Sequence, residues 1–492
     1  MWEIQGHQAQ AYRQAKQAEP VPPDETTGPA RPDGRTGLAG PERADTMGYI
    51  EEFLEFLSIP SVGTMPEFKQ DTLRAAEWLK QRMAQAGIQD TRVLATKGQP
   101  TVYGKVDAKT PGAPTVLIYG HYDVQPPDPL DQWLSPPFKP EIRDGKVFAR
   151  GAADNKGGVF AAVASVEGMV RSGGSPVNLK FFFEGEEESG SPNAPALISE
   201  HKELFAADLA VSVDGGGLGP KTPVATTGSK GICGLEIEVT GPASDMHSGQ
   251  GGGVVNNPVN ALAAIVASMK HPDGKIAVEG FYDDVIPLTQ AEREAFAKAP
   301  INDEMLRKAT GVPELFGESG YTAVERMFGR PTLDLNGMWG GFQGTGTKTV
   351  IPSKAFCKIT CRLVADQDPR KIVDLIEEHI KKHTPRGVTV KVTRGGMGVK
   401  AYLIPPTHPA IGALIKTQKE LYGTDPAVIR LGGTLPVSRM FLDTLGCYLI
   451  FFGASSADEN VHAPNEFFRV EEFETLRTGL PMLLDELAKV LV

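Results

Sequence analysis

Helical and strand-like spacings of apolar residues alternate along much of the chain. Asp71–Ala86 predicts an amphipathic helix, because its apolar residues fall on one face. A helix of small and aliphatic residues is predicted at Gly157–Arg171. Short apolar runs predict buried strands at Thr115–Tyr119, Leu179–Phe183 and Leu209–Val213. This alternation favours an α/β domain with a doubly wound, mostly parallel sheet.

The pattern changes near residue 220. Leu235–Val239 alternates between apolar and polar residues, which is typical of a strand with one exposed face. The elements predicted after it are helices Pro258–Met269 and Pro369–Ile380 and strands Phe356–Val364 and Val388–Val392. We therefore expect a smaller α+β domain at 221–397, inserted into a first domain that comprises 47–220 and 398–492.

The last part of the chain returns to the buried α/β pattern. A helix is predicted at Ala410–Tyr422, a strand at Tyr448–Phe452, and a leucine-rich helix at the C-terminus. Residues 1–46 are different, with six Pro, five Gly and only three large aliphatic residues. Such a segment cannot bury enough apolar surface to offset the entropy of ordering. We expect a disordered extension here, with Met47 as a candidate start of the folded protein.

Charge and hydropathy exclude several classes of protein. Fifty Lys+Arg against sixty-one Asp+Glu give a net charge of −11, which argues against binding to nucleic acid or an anionic membrane. The longest apolar runs reach roughly ten residues, about half of what a membrane-spanning helix needs. The N-terminus lacks a secretory pattern, and four cysteines are too few for a disulfide framework. We expect a cytoplasmic protein.

Histidines and carboxylates follow several of the predicted strands. The carboxyl ends of parallel strands meet at one edge of a sheet, where α/β proteins bind their ligands. One further carboxylate opens the helix at Gly157–Arg171, in a glycine-rich stretch that fits neither the dinucleotide nor the P-loop fingerprint. In chain order these residues are His121, Asp123, Asp154, Glu184, Glu186, Glu187, Glu188, Asp214 and His462.

Taken together, these residues predict a two-metal site. Clustered carboxylates repel one another unless a cation lies among them. Mixed histidine and carboxylate ligands suit Zn²⁺, Mn²⁺ or Co²⁺, whereas oxygen ligands alone would indicate Mg²⁺ or Ca²⁺. Two ions about 3.5–4 Å apart can hold a bridging hydroxide and polarise a carbonyl. Taken singly, each segment also fits an ordinary surface loop, and Asp154 fits a helix cap.

These segments resemble the co-catalytic zinc metallopeptidases, which include the aminoacylases, acetylornithine deacetylase, succinyl-diaminopimelate desuccinylase, carboxypeptidase G and carnosinase. The resemblance is strongest to the carnosinase and cytosolic nonspecific dipeptidase branch, and it covers about residues 47–492. It rests on segments that occur in the same order: Gly120–Pro126, Trp133 with Pro137-Phe138, Arg150–Gly157, Glu187–Ser191, Asp245–Gly249, Thr349–Pro352, Arg362–Val364 and Gly432–Val437.

The resemblance implies roles for the residues at the strand ends. Asp123 would orient His121, and Glu187 would be the general base that deprotonates the bridging water and then protonates the leaving amine. The peptide bond between Asp154 and Asn155 would be cis. The implied ligands are His121 and Asp214 for one metal ion, Glu188 and His462 for the other, and Asp154 as the bridge.

For the inserted domain, the resemblance implies a lid that also forms a homodimer. Arg362 would pair with the carboxylate of a substrate, and His247 would bind the substrate or the oxyanion, reaching the active site of the other subunit. The implied substrate-binding residues are His247, Thr349, Arg362, Gly433 and Thr434.

We therefore expect a homodimeric metallopeptidase that hydrolyses short peptides with a free C-terminal carboxylate. Two divalent ions per subunit are implied, with zinc first and manganese or cobalt as alternatives. The alternative within the fold is an N-acyl-amino-acid deacylase or desuccinylase. A non-catalytic binding protein would be expected to lack Glu187 or a ligand, and none is missing. An ATPase is disfavoured, because the P-loop motif is absent.

Overall fold

The computed structural model describes residues 41–396 and 398–491, with side chains from residue 46 onward. We expected residues 1–46 to be disordered. Residues 1–40 lie outside the described range, and residues 41–46 form the start of the first helix. The α-helices are α1 (Pro41–Leu57), α2 (Lys69–Gln85), α3 (Gly157–Arg171), α4 (Ala194–Glu200), α5 (Lys202–Phe205), α6 (Ser248–Gly251), α7 (Pro258–Ala267), α8 (Gln290–Ala297), α9 (Asp303–Thr310), α10 (Ala323–Gly329), α11 (Pro369–His383), α12 (Pro409–Tyr422), α13 (Pro436–Leu445) and α14 (Val470–Val490).

The strands belong to several sheets of different size. They are β1 (Gln89–Leu94), β2 (Thr101–Val106), β3 (Thr115–His121), β4 (Glu141–Arg143), β5 (Lys146–Phe148), β6 (Asn178–Glu184), β7 (Leu209–Ser212), β8 (Gly216–Gly217), β9 (Val224–Ser229), β10 (Gly231–Thr240), β11 (Met246–His247), β12 (Thr332–Gly340), β13 (Val350–Ile351), β14 (Lys354–Leu363), β15 (Thr389–Arg394), β16 (Tyr402–Leu403), β17 (Ala427–Leu431), β18 (Tyr448–Phe451), β19 (Ser455–Ser456) and β20 (Phe467–Arg469).

The chain divides into two compact units. The first contains the described residues up to Ala225, together with Thr407–Pro426 and Met440 onward, and the second contains Thr226–Pro406 and Ala427–Arg439. The domain boundaries at 220/221 and 397/398 stay predictions. The second unit also takes in the short return segment Ala427–Arg439, which no composition change in the sequence marks.

The first unit is built on a six-stranded sheet in the order β1-β2-β6-β3-β7-β18. The four strands from β6 to β18 are parallel, and β1 and β2 add an antiparallel edge. This architecture confirms the predicted α/β class with a mostly parallel sheet. The antiparallel edge was not predicted, because β1 is largely exposed and the buried strand β2 has Thr, Gly and Lys within its short apolar pattern.

Helices cover both faces of this sheet. Successive residues of a strand point to opposite faces, and β3 shows the consequence. Tyr119 packs edge-on against Phe441 of α13 at 5.8 Å between ring centroids, while Gly120 faces Val159 of α3. On the α3 side, the rings of Phe53, Phe160 and Phe473 stack with centroids 5.7 to 6.3 Å apart and join α1, α3 and α14.

The second unit contains a four-stranded antiparallel sheet in the order β12-β14-β10-β15. In the central strand β10, buried residues alternate with half-buried ones, as the sequence predicts. The buried face packs against the apolar sides of α7 and α11, where Leu262, Ile265, Ile372 and Ile376 are fully buried. This α+β arrangement confirms the second predicted class of domain.

None of the helices in the described ranges combines the length and the apolar character that a membrane-spanning helix requires. The four cysteines are buried, and each has a free thiol.

Candidate metal centre and active site

Strands of the first unit deliver the candidate residues to one edge of the sheet. His121 ends β3, and it lies in parallel register with Glu184 at the end of the neighbouring strand β6. Tyr119 of β3 is likewise in register with Ser212, which ends β7 two residues before Asp214. Since these strands are parallel, the loops that follow them lie side by side.

A carboxylate joins the two candidate histidines. Asp154 Oδ1 lies 3.0 Å from His121 Nε2, and Asp154 Oδ2 lies 2.9 Å from His462 Nε2. His121 is fully buried, whereas the side chain of His462 is 52% exposed. One carboxylate therefore lies between two imidazole nitrogens, an arrangement that a bridging ligand requires.

Three more carboxylates surround this group. Glu188 Oε2 is 3.3 Å from His462 Nε2, and Asp214 Oδ2 is 3.9 Å from His121 Nε2. Glu187 lies next to Glu188 and is half-buried. One atom each of His121, Asp154 and Glu188 forms a cluster within 4.8 Å that has the spacing of a metal site.

Asp123 connects two of the loops at the sheet edge. His121 Nδ1 is 3.1 Å from the backbone oxygen of Asp123 and 3.5 Å from its carboxylate. The same carboxylate accepts hydrogen bonds from the backbone N–H groups of Glu187 and Glu188, at 3.2 and 3.1 Å. Because an acceptor at Nδ1 holds the proton there, it leaves His121 Nε2 as the nitrogen that faces Asp154 and is able to bind a metal.

Glu466 holds the segment that carries Asp154. Its carboxylate accepts hydrogen bonds from Arg150 Nη1 at 2.7 Å and from the backbone N–H groups of Gly151, Ala153 and Asp154 at 2.9 to 3.1 Å. The sequence analysis gave Glu466 no role. The signal in the sequence was its place four residues after His462, whereas its contact with Arg150 and Gly151 arises from the fold.

Asn155 continues this support toward the strands. It donates to the backbone oxygen of Val213 at 3.0 Å and accepts from the N–H of His121 at 3.3 Å. Its peptide bond with Asp154 is cis, as the resemblance implies. A Cβ atom at Gly158 would lie 2.2 Å from the same Val213 oxygen. Only glycine therefore lets the start of α3 approach the end of β7 so closely.

The pKa shifts follow from burial and from these contacts. Burial disfavours ionisation of Asp154, but hydrogen bonds with His121 and His462 outweigh it and lower the pKa of Asp154. Hydrogen bonds to Asp154 and Glu188 raise the pKa of His462 to about 10. Burial raises the pKa of Glu187 well above its ordinary value, and it raises that of Asp214 to about 6.

The donor set fits a divalent cation. Four carboxylates face at most two positive charges from the histidines, so the cluster has excess negative charge in a buried place. Glu188 Oε1 is buried without a hydrogen-bond partner in the described part of the chain. Mixed imidazole and carboxylate donors suit zinc, manganese or cobalt. A metal-free protein would leave both features uncompensated.

The remaining candidates lie in the second unit. Arg362 Nη1 donates a hydrogen bond to Thr434 Oγ1 at 2.7 Å, beside the exposed Gly433. His247 is exposed, and its Nε2 lies 3.4 Å from Thr349 Oγ1. Two small groups therefore form within this unit, one around the guanidinium and one around the imidazole.

A histidine and carboxylate cluster at the carboxyl ends of parallel strands is the kind of site that metal-dependent hydrolases use. The sequence pattern of peptidase family M20/M25/M40 matches residues 117–484, and the chain belongs to this family.

Curated relatives extend the similarity over most of the chain. The Cys-Gly metallodipeptidase dug1 of Schizosaccharomyces pombe is 31% identical over 440 residues, which are 86% of this chain and 92% of the relative. The Beta-Ala-His dipeptidase of Homo sapiens is 30% identical over 441 residues, 85% of this chain and 86% of the relative. A solved M20 metallo-carboxypeptidase from Sulfolobus solfataricus superposes with a TM-score of 0.79 at 32% identity, covering 90% of this chain and 99% of its own.

Proposed function

We propose that this protein is a metal-dependent dipeptidase that hydrolyses short peptides with a free C-terminal carboxylate. The observation that carries the proposal is the position of Asp154 between His121 and His462, with Glu188 at 3.3 Å from His462. The family membership and the dipeptidase names of the curated relatives support the same activity.

Two divalent ions would be held at this centre, with zinc as the first expectation and manganese or cobalt as alternatives. His121 and Asp214 would hold one ion, Glu188 and His462 the other, and Asp154 would bridge them. Bound there, the ions supply Lewis acidity for the scissile carbonyl and lower the pKa of water. The orphaned Glu188 Oε1 and the excess of carboxylates support this assignment.

Glu187 would transfer the protons of the reaction. A carboxylate with a raised pKa is a stronger base, which can accept a proton from the attacking water and return it to the leaving amine. Burial raises the pKa of Glu187 in this sense. Asp123 would keep His121 in the tautomer that exposes Nε2, while its carboxylate holds the loop that carries Glu187.

The substrate would be held by residues of the second unit. Arg362 would pair with the C-terminal carboxylate, supported by its hydrogen bond to Thr434. Thr349, Gly433 and Thr434 would line the substrate pocket. The N–H of Gly249 donates to His247 Nδ1 at 3.0 Å, so a neutral His247 carries its proton on Nε2. The Nε2–H group of His247 would then stabilise the oxyanion.

The proposed assembly is a homodimer formed through the second unit, in which His247 serves the active site of the partner subunit. The net charge of −11 gives no support for nucleic acid or an anionic membrane as a partner. Four buried free thiols support a reducing compartment, and we propose the cytoplasm.

A substrate panel tests this function against deacylation. Hydrolysis of Cys-Gly, β-Ala-His and simple dipeptides should exceed hydrolysis of N-acetyl and N-succinyl amino acids when kcat/KM is compared. The Glu187→Gln variant, purified and measured in parallel, retains only the activity that comes from a contaminating peptidase, and this background is subtracted. Preference for the acylated amino acids would identify a deacylase of the same family instead.

A further inference from the structure

Three of the nine histidines line one cavity in the second unit, apart from every residue assigned above. The cavity has a volume of about 730 Å³ and is bounded by the end of α7, the segment 271–283 and the last turns of α11. His379 and His383 come from α11 and stand one turn apart, with ring centroids 4.0 Å apart. His271 lies opposite, on the turn that follows α7.

The hydrogen bonds fix which nitrogen of each imidazole is unprotonated. The backbone oxygen of His379 can only accept, so His383 Nδ1, at 2.9 Å, carries the proton and Nε2 keeps its lone pair. Ser268 Oγ donates to the oxygen of Ile265 at 2.7 Å, so it accepts from His379 Nε2 at 2.9 Å. His379 Nδ1 is then the nitrogen with the lone pair.

This pattern of support is the one that metal-binding histidines use, since they donate their other N–H to a backbone carbonyl or a similar acceptor. Burial also lowers the pKa of His379 and favours its neutral form. Residues four apart on a helix lie on the same face. The two rings are stacked with 23° between their planes, so their lone pairs can meet at one ion only after the exposed ring of His383 turns out of the stack.

The charge around the cavity favours a cation. Glu279, Asp283 and Glu378 line it, against a single basic residue, Lys382, which is itself 3.3 Å from Glu279. The carbonyl groups at the C-terminal end of α11 add the negative end of the helix dipole. Neutral imidazoles within an acidic rim bind a metal ion more readily than an anion.

We propose that His379 and His383 form a second, peripheral metal site in this unit, which takes one imidazole-preferring divalent transition-metal ion such as Zn²⁺, Ni²⁺ or Cu²⁺. His379 Nδ1 and His383 Nε2 are the first two donors. No three donors in this cavity have the spacing of a metal site in the described residues, so a third donor, His271 or Glu378, has to move in when the ion binds. Imidazole donors select these ions over Mg²⁺ and Ca²⁺. The site stands independently of the proposed peptidase activity.

The number of bound zinc ions tests this site. The full-length protein is dialysed against micromolar Zn²⁺, and bound metal is counted by elemental analysis. His383→Gln, which replaces an exposed side chain, should bind one equivalent less than the wild type and keep its dipeptide hydrolysis. His379→Gln should lose the same equivalent, and Mg²⁺ should not replace it.

Two control variants keep the result interpretable. Lys382→Gln and His201→Gln remove an exposed charge and an unrelated histidine, and both should keep the full zinc count. Unfolding temperatures show whether His379→Gln, which changes a buried side chain, still folds. Equal zinc counts in the wild type and in folded His383→Gln would overturn the proposal. If the active site itself binds no metal, the zinc count is lower in the wild type and in every variant. The difference of one equivalent between the wild type and His383→Gln remains.

Discussion

Glu187 and Glu188 are adjacent in the chain, yet their surroundings differ in the way that their two proposed tasks require. Glu188 has a side chain that is 3% exposed, receives a hydrogen bond from Gln125 at 2.8 Å and lies beside His462. Glu187 has no such neighbour among its side-chain contacts in the described residues, and burial raises its pKa. A group that must exchange protons needs this freedom, whereas a ligand needs fixed geometry.

Glu187→Gln should therefore abolish catalysis without loss of metal. The amide keeps the shape of the side chain and removes its basicity. General acid–base catalysis is typically worth about 10²–10⁴-fold, so kcat should fall by at least that factor. Metal content, measured on the same sample, should remain that of the wild type. Glu188→Gln is the matched control and should lose metal; the reverse pattern would exchange the two roles.

The Arg150–Glu466 pair is a second residue-level feature with a measurable effect. Both side chains are 1% exposed, and their nearest atoms are 2.7 Å apart. Removing one partner of a buried pair leaves an uncompensated charge, which costs about 3–5 kcal/mol. Glu466→Gln should lower the denaturant midpoint accordingly.

An exposed pair gives the comparison. Lys221 and Glu471 lie 2.9 Å apart but are 71% and 68% exposed, and solvent screening leaves such a pair with little effect on stability. Glu471→Gln should therefore leave the midpoint almost unchanged. Equal shifts in the two variants would contradict the structural role of Glu466.

At the level of elements, the strands and helices with strong apolar patterns were predictable. Helix α3 spans Gly157–Arg171 as predicted, and β3 runs two residues beyond the predicted end, so that His121 closes the strand. β1 was missed because an exposed edge strand has no buried face, so its sequence lacks the alternation of apolar and polar residues that predicts a strand. The grouping of the strand-end residues followed from parallel topology, which brings the ends of distant segments together.

The contacts that support the site were not predictable in the same way. Four hydrogen bonds converge on Glu466 from residues more than 300 positions earlier. Nothing in a single sequence records which buried carboxylate accepts from which backbone N–H. Likewise, the tautomers of His379 and His383 depend on Ser268 and on a backbone oxygen.

Strand β14 carries Arg362, the residue that we propose to recognise the substrate carboxylate. Arg362 lies in the register of β14 opposite Ile232 of β10, a fixed position in the sheet. If it binds the C-terminal carboxylate, amidation of a dipeptide leaves the guanidinium unpaired, at a cost of about 2–5 kcal/mol. The value of kcat/KM for the amide should therefore be lower than that for the free acid, by the factor that corresponds to this free energy. Equal values for acid and amide would remove Arg362 from recognition.

At the level of the whole molecule, the proposed dimer predicts that subunits share their active sites. A Glu187→Ala subunit and a His247→Ala subunit should each be inactive as homodimers. In a mixed dimer, one site combines an intact Glu187 with an intact His247, and the other has lost both. About half of the dimers are mixed after random exchange, so about one quarter of wild-type activity should return.

This experiment separates the borrowed histidine from a local one. If His247 serves its own subunit, every site in the mixture lacks one group and activity stays absent. Subunit exchange is verified by the mass of the mixed dimer, and a wild-type mixture treated identically gives the reference activity. Recovery near one quarter, with exchange confirmed, supports the proposed assembly.

The dependence of hydrolysis on metal tests the central claim most directly. The protein is dialysed against a strong chelator, its metal content is measured, and hydrolysis of a dipeptide is followed before and after adding Zn²⁺, Mn²⁺ or Co²⁺. The cluster of His121, Asp154, Glu188, Asp214 and His462 predicts loss of activity with the metal and its return on reconstitution. Full activity in protein shown to be metal-free would contradict the account.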